Sequence, residues 1–192
     1  MSLTPSNMLD LGTKAPDFRL LNVKNNQFVN LSEIKGKHGT VIMFICNHCP
    51  FVKHVNDELV RLANDYKVTG FGFAAISSND VENYPQDHPD KMAVVADELN
   101  YPFPYLYDVT QEVAKAYQAA CTPDFYVFDE NLKLFYRGQL DDSRPKNGLP
   151  LTGRNLREAL DALLNNQHPP KVQKPSMGCN IKWIDNHSKY MP

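Results

Sequence analysis

Thr40-Val41-Ile42-Met43-Phe44-Ile45-Cys46-Asn47-His48-Cys49-Pro50 is the stretch on which the fold turns. Residues 40–45 are apolar and β-branched almost without break, the composition of a strand buried on both faces of a parallel sheet. Directly after the cysteines, Val52, Val55, Leu59, Leu62 and Tyr66 recur at spacings of 3, 4, 3 and 4, the signature of a helix with one face on a core. Pro50 suits the start of that helix, whose first N–H groups have no intrahelical partner to lose. The order is therefore strand, Cys-x-x-Cys, helix.

Working outward, 71–77 reads as a second buried strand, 90–99 as a helix capped by Asp90, and 103–107 as a short strand. Val113, Ala114 and Tyr117 mark a helix running to about Ala120. Residues 124–128 and 132–137 form a hairpin around Asp129-Glu130-Asn131, and Leu156, Leu160, Leu163 and Leu164 give the apolar stripe of a last helix over 154–164. Near the beginning, 20–23 and 27–31 flank Lys24-Asn25-Asn26 as an N-terminal hairpin, while 1–15 read as polar and irregular. Beyond Gln167 the chain carries Pro169, Pro170 and Pro175 and is expected to run extended over the surface. Alternating strands and helices with a terminal hairpin imply an α/β fold with a central mixed sheet flanked by helices.

The 192 residues fit one domain over 1–192, with a tail from about 168. Hydrophobic residues make up 42%, enough for a core, and 20 Lys+Arg against 22 Asp+Glu give a formal charge of −2, which argues against nucleic acid as a partner. No apolar run is long enough to span a bilayer and no signal peptide is visible, so the expectation is a cytoplasmic protein without a membrane partner. Cys46, Cys49, Cys121 and Cys179 are too few for a disulfide scaffold in a chain of this length.

A Cys-x-x-Cys at a helix N-terminus serves thiol redox chemistry, because unpaired N–H groups and the helix dipole favour a thiolate and the spacing lets the sulfurs meet. Cys46 is expected to be the exposed attacking thiol and Cys49 the resolving one. His48 between them can place a positive charge or N–H donor near the Cys46 sulfur; this would stabilise the reduced form and make the disulfide more oxidising than that of a typical reducing thioredoxin. His54, further along the helix, reads as solvated. Zinc is disfavoured: no second Cys-x-x-Cys or His-x3-His lies at ligand spacing, and adjacent His48 and Cys49 are poorly placed to share a tetrahedron with Cys46. Cu(I), which soft thiolates select, is the stronger metal alternative, in a copper chaperone or redox sensor using the same cysteines.

These residues together resemble the thioredoxin-like superfamily, and within it the peroxiredoxin-like branch of alkyl hydroperoxide reductase and thiol-specific antioxidant proteins. The matching pieces are Gly12-Thr13-Lys14-Ala15-Pro16-Asp17-Phe18, the stretch Phe44 to Pro50, Thr122-Pro123, and the closing helix. The segment Gly178-Cys179-Asn180-Ile181-Lys182-Trp183 is similar to an ending found in the same group. The resemblance implies a thioredoxin-like fold with an N-terminal hairpin extension and makes Pro123 a cis-proline beside the active-site cysteines. It also exposes a departure. In the peroxiredoxin pattern P-x3-T-x2-C, with its cysteine placed on Cys49, Cys46 stands where Thr is usual and Ile42 where Pro is usual. The hydroxyl that would orient a peroxide is gone and a second thiol is gained.

The expected function is thus a thiol–disulfide oxidoreductase acting on protein or small-molecule disulfides and re-reduced by a thiol electron donor, with no bound organic cofactor and no resident metal. A thiol peroxidase reducing hydroperoxides is the alternative within the class, and the class is compatible with a homodimer. Cys121, two positions before Pro123, reads as a packing residue or an extra thiol. Cys179 reads equally as a third resolving thiol or a structural residue. Arg137 and Arg144 are expected at the surface, with a thiolate-stabilising role as the other reading. Asp141-Asp142-Ser143-Arg144 is expected to be a solvated loop that could line the active-site rim, and Asp80, Glu82, Asp87 and Asp90 a polar loop and helix cap.

Overall fold

Residues 3–184 are described by the computed structural model. In chain order they form β1 (Leu3–Pro5), β2 (Arg19–Asn22), β3 (Gln27–Asn30), α1 (Leu31–Ile34), β4 (Gly39–Phe44), α2 (Pro50–Lys67), β5 (Phe71–Ser77), α3 (Pro89–Glu98), β6 (Tyr105–Tyr107), α4 (Glu112–Ala116), β7 (Cys121–Thr122), β8 (Asp124–Phe128), β9 (Leu134–Gly138), α5 (Arg154–Leu164) and β10 (Met177–Asn180). A short 3-10 turn, Pro85–Asp87, precedes α3.

Among the described residues two sheets form. The larger has the order β3-β2-β6-β5-β4-β8-β9. Its centre is parallel, with β5 between β4 and β6, and its flanks are antiparallel. The fold is therefore the mixed sheet with an N-terminal hairpin that the sequence implies. Every residue of β4 is buried, and alternation sorts its side chains by face. Val41 and Met43, with Ile45 beyond the strand, pack with Val52, Leu59 and Leu62 of α2 and with Leu156 and Leu160 of α5. Ile42 and Phe44 pack on the other side with Tyr117, Tyr126 and Phe128. Both layers hold the end of β4 in place, and that end carries the cysteines.

The smaller sheet, in the order β1-β10-β7, departs from expectation at both chain ends. Residues 3–5 are not irregular, and the tail does not simply run over the surface. β10 lies antiparallel between β1 and β7, pairing Cys179 with Thr122 and Leu3 with Cys179. The cause is local: three short segments satisfy one another's backbone groups, and buried Cys179 and Ile181 join the two apolar cores. Residues 185–192 of the expected tail lie outside the described residues.

Two helix ends differ as well. α4 stops at Ala116, and Gln118 follows in the left-handed region at φ 50. The cap of α3 is His88 rather than Asp90, with its ring nitrogen accepting the Asp90 N–H at 3.4 Å. No helix of the described residues is long and apolar enough to cross a membrane.

Candidate active site

Pro50 begins α2, so Cys49 becomes the N-cap residue and Cys46 lies in the turn before it. The Cys49 carbonyl accepts the Lys53 N–H at 3.0 Å, and the Cys49 sulfur faces the Val52 N–H, one of the donors that a helix start leaves free. The helix N-terminus thus serves Cys49 rather than Cys46. The expectation of an exposed Cys46 is corrected on the same ground: Cys46 is 2% exposed and Cys49 is fully buried, because Thr122 closes over both. The Thr122 hydroxyl lies 3.3 Å from the Cys46 Sγ, and its carbonyl oxygen lies 3.2 Å from the Cys49 Sγ.

None of the four cysteines is in a disulfide, and their environments separate them. The Cys49 thiol is pulled down to about 5, first by the S–H of Cys46 and, against burial, by the S–H and N–H of Cys179 and the Val52 N–H. Cys46 is held well above the ordinary thiol range because it donates that hydrogen bond, is buried, and faces the Asp87 carboxylate. Cys179 is pushed up to about 12 by burial and by its hydrogen bond to Cys49. The two sulfurs of the Cys-x-x-Cys are therefore coupled, the Cys49 thiol lowered and the Cys46 thiol raised by the hydrogen bond between them.

Asp87, expected in a polar loop, belongs to the site. Instead of lying in a solvated loop it is fully buried. Its Oδ1 accepts the backbone N–H groups of Asn47 at 2.8 Å and His48 at 3.2 Å, while its Oδ2 pairs with His48 Nδ1 at 2.6 Å and Asn79 Nδ2 at 2.7 Å. The available signal was Pro85-Gln86-Asp87-His88-Pro89, a carboxylate bracketed by prolines that fix the backbone. The His48 ring is paired with Asp87 and stacked on Tyr84, centroids 5.5 Å apart, with a ring nitrogen within 4.8 Å of the Cys46 sulfur.

One ligand atom from each of Cys46, His48 and Asp87 lies within 4.8 Å of the others. A sulfur, an imidazole and a carboxylate suit zinc by type, but both Asp87 oxygens are already committed to N–H donors. The carboxylate works here as the anchor of the loop that bears the cysteines.

Thr122-Pro123 is cis, as the resemblance implied, and sits between β7 and β8 against the cysteines. Cys121 is fully buried, with its Sγ 3.7 Å from the Pro123 carbonyl. Burial, and then the neighbouring Asp124 carboxylate, push its thiol far up.

Several surface assignments are corrected. Arg137 is fully buried, paired with Asp124 at 3.1 Å and stacked over Tyr126 at 4.4 Å; alternation along β9 turns it inward. The 141–144 loop is solvated only in part: the Asp141 carboxylate accepts the N–H groups of Thr152 and Gly153 at 2.7 Å and Ser143 is buried, while Asp142 is exposed. His54 is half-buried, with its Nε2 2.7 Å from the Ser143 Oγ. Phe51, His54, Ser143, Arg144 and Met177 line a recess against Pro123, so Arg144 stands at the rim of the site while Arg137 serves the core.

A buried strand, a Cys-x-x-Cys leading into a helix and a facing cis-proline form the thioredoxin-like arrangement, and the AhpC/TSA family model matches residues 11–137. The chain belongs to the AhpC/TSA family. Two solved structures are similar over nearly the whole of this AhpC/TSA protein. An uncharacterized conserved protein from Geobacillus kaustophilus is 63% identical, covering 97% of this chain and 98% of that one with a TM-score of 0.95. A hypothetical protein from Sinorhizobium meliloti is 43% identical, covering 95% and 100%, with a TM-score of 0.93. The thioredoxin domain of a thiol-disulfide oxidoreductase from Bacteroides vulgatus shares the fold at 21% identity, covering 71% and 91%, with a TM-score of 0.56. The curated proteins contain no match.

Proposed function

We propose that this AhpC/TSA protein is a thiol–disulfide oxidoreductase whose Cys46 and Cys49 cycle between dithiol and disulfide. The observation that carries this reading is the placing of the pair: Cys49 is the N-cap of α2, Cys46 lies in the turn before it, and Thr122, joined to Pro123 by a cis bond, contacts both sulfurs. Of the two residues of the motif, Cys46 is the one that keeps any exposure, 2%. Moving its proton to Cys49 makes Cys46 the nucleophile; it attacks a substrate disulfide, and one substrate sulfur leaves as a thiolate. Cys49 then gives up the proton and attacks Cys46, which releases the second substrate thiol and leaves a Cys46–Cys49 disulfide. Two electrons pass to the substrate, and a thiol donor returns them. Pro123 and the recess beside it supply the surface for protein or small-molecule disulfides.

A second reading is favoured by the burial of Cys49, which suits a small oxidant better than a protein disulfide. As a thiol peroxidase, the Cys49 thiolate would take one oxygen from a hydroperoxide to give a sulfenic acid and an alcohol, and Cys46 would condense with it, releasing water. Mass-spectrometric mapping of disulfides across defined glutathione and dithiothreitol potentials, followed by one equivalent of hydrogen peroxide, tests both readings. A reversible Cys46–Cys49 bond with catalytic turnover of disulfides supports the first. If those cysteines never pair under the thiol buffers and peroxide alone oxidises Cys49, the peroxidase replaces it.

A further inference from the structure

Thr122 is the hub of a larger sulfur arrangement. Its hydroxyl touches Cys46, its carbonyl touches Cys49, and its backbone pairs in register with Cys179. β10 is held at this spot by unusually close contact: a Cβ on Gly178 would stand 2.0 Å from the Thr122 carbonyl oxygen, so the strand approaches as only glycine allows. The next residue, Cys179, is thereby set against the α2 N-terminus, where its S–H and N–H both reach the Cys49 sulfur. Among the described residues the mutually close ligand trio near this point is Cys46, His48 and Asp87. Cys46 and Cys179 each interact with the Cys49 sulfur, which makes Cys49 the central sulfur of the three. Cys121, equally buried, has a carbonyl rather than a sulfur for its partner.

We infer that Cys179 is a third redox-active thiol, which exchanges into the Cys46–Cys49 disulfide to give a Cys49–Cys179 disulfide that ties the C-terminal strand to the start of α2. This rests on the oxidoreductase reading above. In the step, Cys179 loses its proton and attacks the Cys49 Sγ; the Cys49–Cys179 bond forms as the Cys46–Cys49 bond breaks, and Cys46 leaves as a thiolate that takes up the proton. No net electrons move: the oxidising equivalents pass from the substrate-facing sulfur to one on another strand, and Cys46 is free again.

The test is oxidation of the full chain by glutathione disulfide, with alkylation quench and peptide mapping, in the wild type, Cys46→Ser, Cys179→Ser and Cys121→Ser. The expected result is a Cys49–Cys179 peptide pair in Cys46→Ser, with alkylation of both cysteines lost together, and unchanged behaviour in Cys121→Ser. Persistent glutathionylation of Cys49 in Cys46→Ser, with Cys179 still fully alkylated, overturns the inference even where the wild type forms Cys46–Cys49. Failure of the wild type to form Cys46–Cys49 overturns the oxidoreductase reading instead, and the Cys46→Ser arm still decides on Cys179. Should Cys46→Ser fail to fold, the wild type is quenched shortly after substoichiometric oxidation: a Cys49–Cys179 pair supports the inference, and its absence while Cys46–Cys49 accumulates overturns it.

Discussion

Asp87 holds His48 by a 2.6 Å contact to its Nδ1 from 39 residues away, and the same carboxylate takes the backbone N–H groups of Asn47 and His48. One buried anion thus fixes the whole turn between the two cysteines. Behind the hydrogen bond to Cys49 and burial, it also opposes a thiolate on Cys46.

Replacing Asp87 with Asn tests both effects. The amide keeps the shape but loses the charge and one acceptor, so buried donors lose their partner at about 1–3 kcal/mol each. A loss of about 3 kcal/mol in urea unfolding is expected, together with faster alkylation of Cys46 as its thiol falls toward the ordinary range. Unchanged stability together with unchanged Cys46 reactivity would refute the anchoring role.

The charge on Cys49 gives the reduced protein a defined pH response. Its folded-state pKa, about 5, lies below the ordinary thiol value of 9.0. The stabilisation it confers is therefore fully present above the unfolded value and is lost as pH falls through about 5. Thiolate absorbance at 240 nm should titrate near pH 5 in the wild type and vanish from that range in Cys49→Ser. In Cys46→Ala, which removes the largest donor to the thiolate, the midpoint should move upward by at least one unit, worth about 1.4 kcal/mol. The difference in unfolding free energy between the reduced wild type and Cys49→Ser should grow from pH 5 to pH 8.

Arg137 and Asp124 form a buried pair under the same sheet. Burial raises the Asp124 carboxyl to about 6 even with the guanidinium beside it. Because this pKa is raised, the group favours folding at low pH, and that contribution is lost as pH rises through about 6. Arg137→Met leaves the carboxylate alone and should cost about 3–5 kcal/mol at pH 7, whereas the double change Arg137→Met with Asp124→Leu should recover most of it. Thermal denaturation at pH 5 and pH 7 checks both: the single variant should lose less at pH 5, where Asp124 can protonate.

How much of this could be read from residues alone follows from the range of each interaction. The strand at 40–45, the helix after Pro50 and both hairpins were legible because their signals are local periodicity and turn chemistry. Cys46, Cys49 and Pro123 were legible through a motif and its partner. Asp87, Arg137 and the 141–144 loop were not, since an acid or arginine in a polar segment looks solvated until tertiary contacts supply its partners. The exposure assigned to Cys46 failed for a related reason: spacing marks the start of a helix but does not say that Thr122 and β10, from far along the chain, cover it.

The dependence of the site on β10 yields the sharpest test of that cover. A methyl group at position 178 would have to occupy space 2.0 Å from the Thr122 carbonyl oxygen and 2.6 Å from its carbon, and backbone atoms cannot swing aside as a flexible side chain can. Gly178→Ala should therefore push β10 off β7 rather than merely strain it, at a cost of about 1–3 kcal/mol or more. Cys179 would then withdraw both its donors from Cys49, so the Cys49 thiol should rise and its sulfur become accessible at once. Hydrogen exchange should quicken at 177–180 and in 121–122 while α5 and β4 keep their protection, and a bulky maleimide should label Cys49 faster at pH 8. A Gly178→Ala variant with wild-type protection over 177–180 and wild-type Cys49 labelling would show that β10 is not what covers the reactive sulfur.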